Sequence, residues 1–120
     1  MLPRGSVVLL GLDPTLGHEQ KGVRPCVVVS DPEVTGSQRF PMICVVPITG
    51  TAGEGALYPA LQPGPSGLRR TSYALIDQLR SVDKRRVQRL FGVLYPAELA
   101  AIVEGLSLFL GLDAPAGGGG

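Results

Sequence analysis

Apolar residues in this chain come in short dense runs, each cut off by glycine, proline or a polar cluster. Residues 6–12, SVVLLGL, follow an Arg-Gly turn signal and are rich in branched side chains, which predicts a first strand ended by Asp13 and Pro14. Residues 26–30, CVVVS, are apolar at every position but the last, so a second strand there belongs inside a sheet, covered on both faces. Residues 31–39 are loop by composition. A third strand is expected over residues 42–48, MICVVPI, with Pro47 at its end or on a sheet edge because proline cannot donate to a ladder. Residues 49–55, TGTAGEG, read as a small-residue turn, residues 56–61 as a short fourth strand, and residues 63–70 as a loop. Residues 72–79, SYALIDQL, alternate loosely and predict a fifth strand that runs on into residues 80–82.

Near the C-terminus the period lengthens. Asp83 is placed to cap a short helical turn, residues 84–92, KRRVQRLFG, that Gly92 closes. Pro96 suits the first position of a helix. Leu99, Ile102, Val103, Leu106 and Leu110 then recur at helical spacing, so residues 96–110 predict an amphipathic helix stopped by Gly111. Five strands and one terminal helix do not alternate as a parallel α/β fold requires. The pattern fits a mainly β architecture: a small, curved antiparallel barrel packed against its C-terminal helix. An open five-stranded sheet with the helix on one face is the alternative. Residues 1–112 make one domain, and residues 113–120, ending in four glycines, are expected to be a disordered tail.

Composition narrows this picture. At 120 residues the chain can enclose one core but not two, and 44% apolar content places it among globular proteins. Eleven Lys and Arg nearly cancel ten Asp and Glu, so any basic surface must come from local arrangement. Nine of those eleven are Arg, the side chain suited to bidentate phosphate contact. Cys26 and Cys44 each lie inside an apolar run, as buried thiols acting as small hydrophobes or as a disulfide across neighbouring strands. One histidine and two separated cysteines match no metal-ligand spacing, so no metal is expected. The early apolar run of residues 7–12 is too short to span a bilayer and lacks a secretion pattern, which predicts a cytoplasmic protein with no membrane partner.

Polar chemistry collects in residues 15–30, TLGHEQKGVRPCVVVS. Gly17 and Gly22 bracket His18, Glu19 and Gln20, and Arg24 precedes Pro25, which pushes it into extended backbone. A strand starting there projects a guanidinium from a stiff backbone beside a loop, one way to hold a phosphate-bearing ligand. Such loops also simply connect strands. Thr49 ends the third strand in PITG, where its hydroxyl either serves the turn or sits beside the start of the second strand. Asp77, Gln78 and Arg80, in DQLR, are costly in an apolar strand unless paired or facing solvent. They make either an Asp77–Arg80 surface pair or a polar floor that reads a base edge. His18 is an acid–base candidate near neutral pH. The cluster Lys84, Arg85, Arg86 and Arg89 reads as a solvated face. No Ser–His–Asp spacing and no phosphate-cradling glycine loop occurs.

In order, Arg4-Gly5, VVLLGLDPTLGHEQKGVRPCVVVS, VVPITG, DQLRSVDKRR and the amphipathic C-terminal segment resemble the MazF/PemK (Kid) family, toxins of type II toxin–antitoxin modules. The resemblance extends over nearly all of the first 112 residues. It implies an SH3-like barrel of the kind shared with the gyrase poison CcdB, assembled as a homodimer. It also implies a metal-independent, sequence-specific endoribonuclease that cuts single-stranded RNA without a cofactor. Arg24 of the RP motif and Thr49 of the PIT motif take the catalytic roles by that resemblance. His18, Glu19, Gln20, Asp77, Gln78 and Arg80 take RNA-binding ones. A cognate, MazE-like antitoxin is the implied protein partner, its disordered acidic segment folding across the RNA groove. One position departs: PemK-type members carry an Arg two residues before the Asp of DQ, and this chain has Leu75. That favours a scheme built on Arg24 and Thr49 over one centred on Asp77. Two rivals remain, a CcdB-like gyrase-directed toxin worked by the C-terminal helix and a non-catalytic SH3-like binding module.

Overall fold

The structure, a computed structural model, describes residues 2–12, 16–20 and 22–112. The expected strand stop at Asp13 and Pro14, and the tail of residues 113–120, lie outside the described residues. β1 (Ser6–Gly11), β2 (Val23–Val28) and β3 (Met42–Thr49) run antiparallel, each to the next. A one-turn helix α1 (Pro32–Thr35) sits between β2 and β3. The second edge of β3 meets two partners in succession: β6 (Arg80–Asp83) along Met42–Val45, then β5 (Ser72–Ala74) at Ile48 and Thr49. The short strand β4 (Ala60–Leu61) lies outside β5, and β7 (Val87–Val93) lies outside β1. This exchange of partners curls the antiparallel sheet into a half-barrel, and α2 (Pro96–Leu110) covers one face. The mainly β fold with a C-terminal helix is the expected one.

Two cores follow from the period of two in the valine runs. Val7, Val27 and Val46 point toward α2, where they meet Ile102 and Leu106. Their neighbours Val8, Val28 and Val45 point the other way, with Leu10, Leu12, Cys26 and Val82. The helix has the boundaries its periodicity predicts, opened by Pro96 and closed by Gly111 at φ 69°. Its apolar stripe is only partly used: Ile102 and Leu106 are buried, whereas Leu110 is exposed.

Five expectations are corrected. Residues 84–92 are not one helical turn: a 3₁₀ turn occupies Lys84–Arg86 and a strand follows, because β1 would otherwise lose a ladder partner. The fifth strand is broken at Ile76–Gln78 by another 3₁₀ turn, where the chain passes from the β5 pairing to the β6 pairing. The fourth strand shrinks to Ala60–Leu61, and the loop after β2 holds α1, capped by Asp31 Oδ1 accepting from the Glu33 N–H at 2.9 Å. Pro47 is neither terminal nor at an edge. It is buried in β3 opposite Cys26, in the gap between the end of the β6 pairing at Val45 and the start of the β5 pairing at Ile48, where a missing N–H interrupts neither ladder.

Candidate functional site

The site grows out of one strand register. β2 and β3 pair Val28 with Val45, Val27 with Val46 and Cys26 with Pro47. Continuing that register by two residues sets Arg24 across from Thr49. Directly opposed residues share a face. On the face away from α2, the two strands therefore pass from a buried valine pair, through Cys26 and Pro47, to a polar pair at the rim. β3 also pairs Thr49 with Tyr73 of β5, which extends the row across a third strand.

Arg24 and Thr49 line one cavity of about 250 Å³, together with Arg69, Arg70 and Ser72. Among the described residues no carboxylate lines it. Gly50 makes room for one of these cations: a Cβ there would stand 3.3 Å from Arg70 Nη2. Thr49 Oγ1 accepts from the Thr51 N–H at 3.2 Å. This is the turn role its position predicts, and it uses a lone pair, leaving the hydroxyl hydrogen to donate elsewhere.

Thr49 also lines a second cavity, of about 350 Å³, with Gln20, Tyr58, Tyr73, Leu75 and Gln78. Gln20 and Gln78 in turn line a third, of about 160 Å³, with Glu19, Asp77 and Arg80. The three cavities thus share walls and form one groove. Seven of the eight residues singled out in the sequence line it. The exception is His18, which lines none of the three cavities and enters through its backbone.

Gln78 explains how the loop reaches the groove. Its Oε1 accepts from the Gln20 N–H at 2.7 Å, and its Nε2 donates to the His18 carbonyl at 3.3 Å. One amide therefore holds residues 16–20 against the 3₁₀ turn. Asp77 and Arg80 do not form the surface pair that their spacing allows. Asp77 Oδ2 accepts from the Tyr58 hydroxyl at 2.6 Å, and Arg80 Nη1 donates to the Leu12 carbonyl at 2.7 Å. Leu75, where an arginine would pair with Asp77, faces the cavity instead, and Tyr58 supplies the donor. The carboxylate raises the Tyr58 pKa above its ordinary value, chiefly through that hydrogen bond.

Beneath the groove, burial pushes the Cys26 thiol up to about 12, against a smaller opposing effect of Arg80. Cys26 and Cys44 are both free, and they belong to opposite faces of the sheet, so no disulfide joins them. Among the described residues no three His, Cys, Asp or Glu side chains gather as a metal-binding group, and no helix is long and apolar enough to cross a membrane. The basic cluster is a structural surface: Lys84 Nζ donates to the Val34 and Ser37 carbonyls, Arg85 pairs with Asp83, and Arg89 stacks on Phe91.

Sequence reasoning missed Tyr58, Arg69, Arg70 and Tyr73. Arg69 and Arg70 sit in a proline- and glycine-rich loop, and the tyrosines in short strands and turns, where nothing in local pattern sets them apart. Only the pairing of Tyr73 with Thr49 betrays its place.

Residues 3–110 match the family described as PemK-like, MazF-like toxin of type II toxin–antitoxin system. The fold is similar to the crystal structure of MazF from Deinococcus radiodurans, at 28% identity and a TM-score of 0.77, covering 92% of this chain and 96% of that one. A chain of the MazE–MazF complex from the same organism is 27% identical, with a TM-score of 0.73 over 93% of this chain and 97% of that one. An endoribonuclease from Mycobacterial species, solved with its cognate antitoxin, is 23% identical and shares the fold, with a TM-score of 0.79 over 96% of this chain and 100% of that one.

Proposed function

This chain belongs to the PemK-like, MazF-like toxin family of type II toxin–antitoxin systems, and on that premise we propose that it is a metal-independent, sequence-specific endoribonuclease acting on single-stranded RNA. The observation that carries this reading is the meeting of Arg24 and Thr49, from separate strands, on one cation-lined cavity. RNA brings its own nucleophile, the 2′-hydroxyl, so attack on the adjacent phosphorus needs no metal-bound water. The P–O5′ bond breaks as the P–O2′ bond forms, with a net transfer of one proton from O2′ to O5′, leaving a 2′,3′-cyclic phosphate and a 5′-hydroxyl. Negative charge gathers on the non-bridging oxygens in the transition state. A guanidinium on a stiff strand and a hydroxyl donor aimed at those oxygens stabilise it without reorganising. A guanidinium is a poor base, so the role of Arg24 is electrostatic. Arg69 and Arg70 add positive charge for the flanking phosphates.

Gln20, Asp77, Gln78 and Arg80, with Glu19 and the His18 backbone, form the strand-binding end of the groove. The protein partner is a cognate antitoxin whose acidic, disordered segment folds over the same cations, masking the catalytic pair. A homodimer accounts for large apolar side chains left exposed, among them Leu90 and Phe91 of β7 and Leu108 and Phe109 of α2.

Incubating purified protein with a long synthetic transcript, with and without EDTA, tests the reading. Discrete cuts bearing 2′,3′-cyclic phosphate ends, unchanged by chelator and slowed by about 10²–10³-fold in Arg24→Ala, are expected. Intact RNA, or cleavage that EDTA stops, overturns it.

A further inference from the structure

The loop between β4 and β5, residues 62–71 (QPGPSGLRRT), has the composition of a loose surface connection, yet it is held along its length. Its tip lies on β7. The Pro65 carbonyl accepts from the Val93 N–H at 3.0 Å, and a Cβ on Gly92 would collide with that carbonyl. Gly67, at φ 81°, approaches so closely that a Cβ there would come within 2.9 Å of Phe91 Cβ. Ser66, only 1% exposed, accepts from the Leu68 N–H at 3.2 Å. Side chains close the neck: Thr71 Oγ1 donates to Gln62 Oε1 at 2.8 Å, and Ser72 Oγ donates to the Arg70 carbonyl at 3.0 Å. What this loop delivers to the groove is Arg69 and Arg70.

One further tie comes from α2. Glu98, in its first turn, accepts from the Tyr95 N–H through Oε1 at 3.2 Å, the ordinary work of an acid at that position. Its Oε2 accepts from the Gln62 N–H at 2.6 Å, across 36 residues of chain. That bond is short and charge-assisted, the stronger kind. Capping the helix does not require it. We propose that Glu98 is a positioning residue for the cation-lined end of the groove: through Gln62 and Thr71 it fixes the neck of the loop that carries Arg69 and Arg70. The two guanidiniums then meet flanking phosphates from a backbone already ordered, so binding need not order it. What the arginines meet rests on the nuclease reading; the tie between Glu98 and their loop does not.

The test compares the whole ¹⁵N-labelled protein with Glu98→Ala and with Thr71→Val, which opens the same neck without touching α2. Both variants are expected to shift the Nε signals of Arg69 and Arg70, while that of Arg85, paired with Asp83 away from the loop, stays still. Both are expected to raise KM for RNA, and to weaken binding of an uncleavable 2′-O-methyl oligonucleotide, by about 3- to 10-fold with kcat within about 2-fold, the entropic scale of reordering one or two long side chains. With Arg69→Ala and Arg70→Ala already in place, either variant is expected to add less than about 2-fold, because the groups it positions are gone. A helix cap acting on stability alone moves neither the arginine signals nor KM, and does not respond to Thr71→Val. Arginine signals unmoved by Thr71→Val, or an undiminished loss of binding from it in the double-arginine background, overturn the role even if Glu98→Ala misfolds. Protein that cuts RNA with those signals unmoved sinks the positioning role alone. Protein that cuts no RNA, with the signals moved in both variants, sinks the nuclease reading and leaves the tie to Glu98 standing.

Discussion

The two ends of the groove are built by different means. At the Arg24 end, position comes from backbone ladders: β2 and β3 in register, with Gly50 leaving space for Arg70. Among the described residues, every charge lining that cavity is positive. At the Asp77 end, position comes from side chains reaching backbone. Gln78 clasps Gln20 and His18, and Arg80 holds the Leu12 carbonyl. The charges there are mixed, with Glu19 and Asp77 beside Arg80. Ladder hydrogen bonds are shared among many residues, whereas a clasp fails when one side chain is lost. On the proposed reading, charge stabilisation falls to the rigid end and strand selection to the adjustable one.

The largest effect should come from the rigid end. Arg24→Ala should lower kcat by about 10²–10³-fold with folding intact, as loss of one preorganised donor does. Single-turnover cleavage of a mapped substrate reads this out, and a loss confined to a rise in KM would merge the two ends into one binding surface. Thr49→Val should cost about 10²-fold in kcat, provided the hydroxyl donates to the phosphate rather than serving only the Thr51 turn.

Gln78→Ala tests the other end. KM should rise by about 5–10-fold with kcat within about 2-fold, the scale of one or two lost neutral hydrogen bonds. Amide hydrogen exchange at Gln20 should quicken at the same time. An unchanged Gln20 amide would mean that the loop is held by something other than the clasp.

Salt separates the ends as well. If Arg24, Arg69 and Arg70 each neutralise one phosphate, log K should fall against log salt with a slope of about −2, and Arg70→Ala should flatten it by about 0.7. An equal flattening in Arg80→Ala would erase the distinction, since its guanidinium is already engaged by Leu12.

The smallest effect lies outside the groove and serves as control. Arg85, through its side-chain hydrogen bond first, lowers the Asp83 pKa from 3.8 to about 2. A depressed acid contributes stability above its unfolded pKa and loses it as pH falls through the folded value. Thermal unfolding of wild type and Asp83→Asn should therefore differ slightly at neutral pH and converge between pH 3.8 and 2, with cleavage unaffected.

Much of this was legible in the linear chain. Dense valine runs at 26–30 and 42–48 foretold buried strands because they are short, rich in β-branched residues and bounded by turn signals, and Pro96 with Gly111 marked the ends of α2. The Arg-Pro step placed Arg24 in extended backbone, and the family motifs singled out Thr49. The strand at Val87–Val93 was not legible. Its residues carry a helix-compatible pattern, and only the vacant edge of β1 made them extend. The break at Ile76–Gln78 escaped for the same reason, since it answers a change of partner on β3.

By itself the sequence determined which segments are buried, where the terminal helix begins and ends, and which family the chain belongs to. These follow from local period, capping chemistry and motif order. Tertiary structure alone decided that Arg24 faces Thr49, that Arg70 and two tyrosines join them, and that Gln78 holds the loop. Register between strands distant in the chain is a property of pairing, and no stretch of sequence contains both halves of a pair.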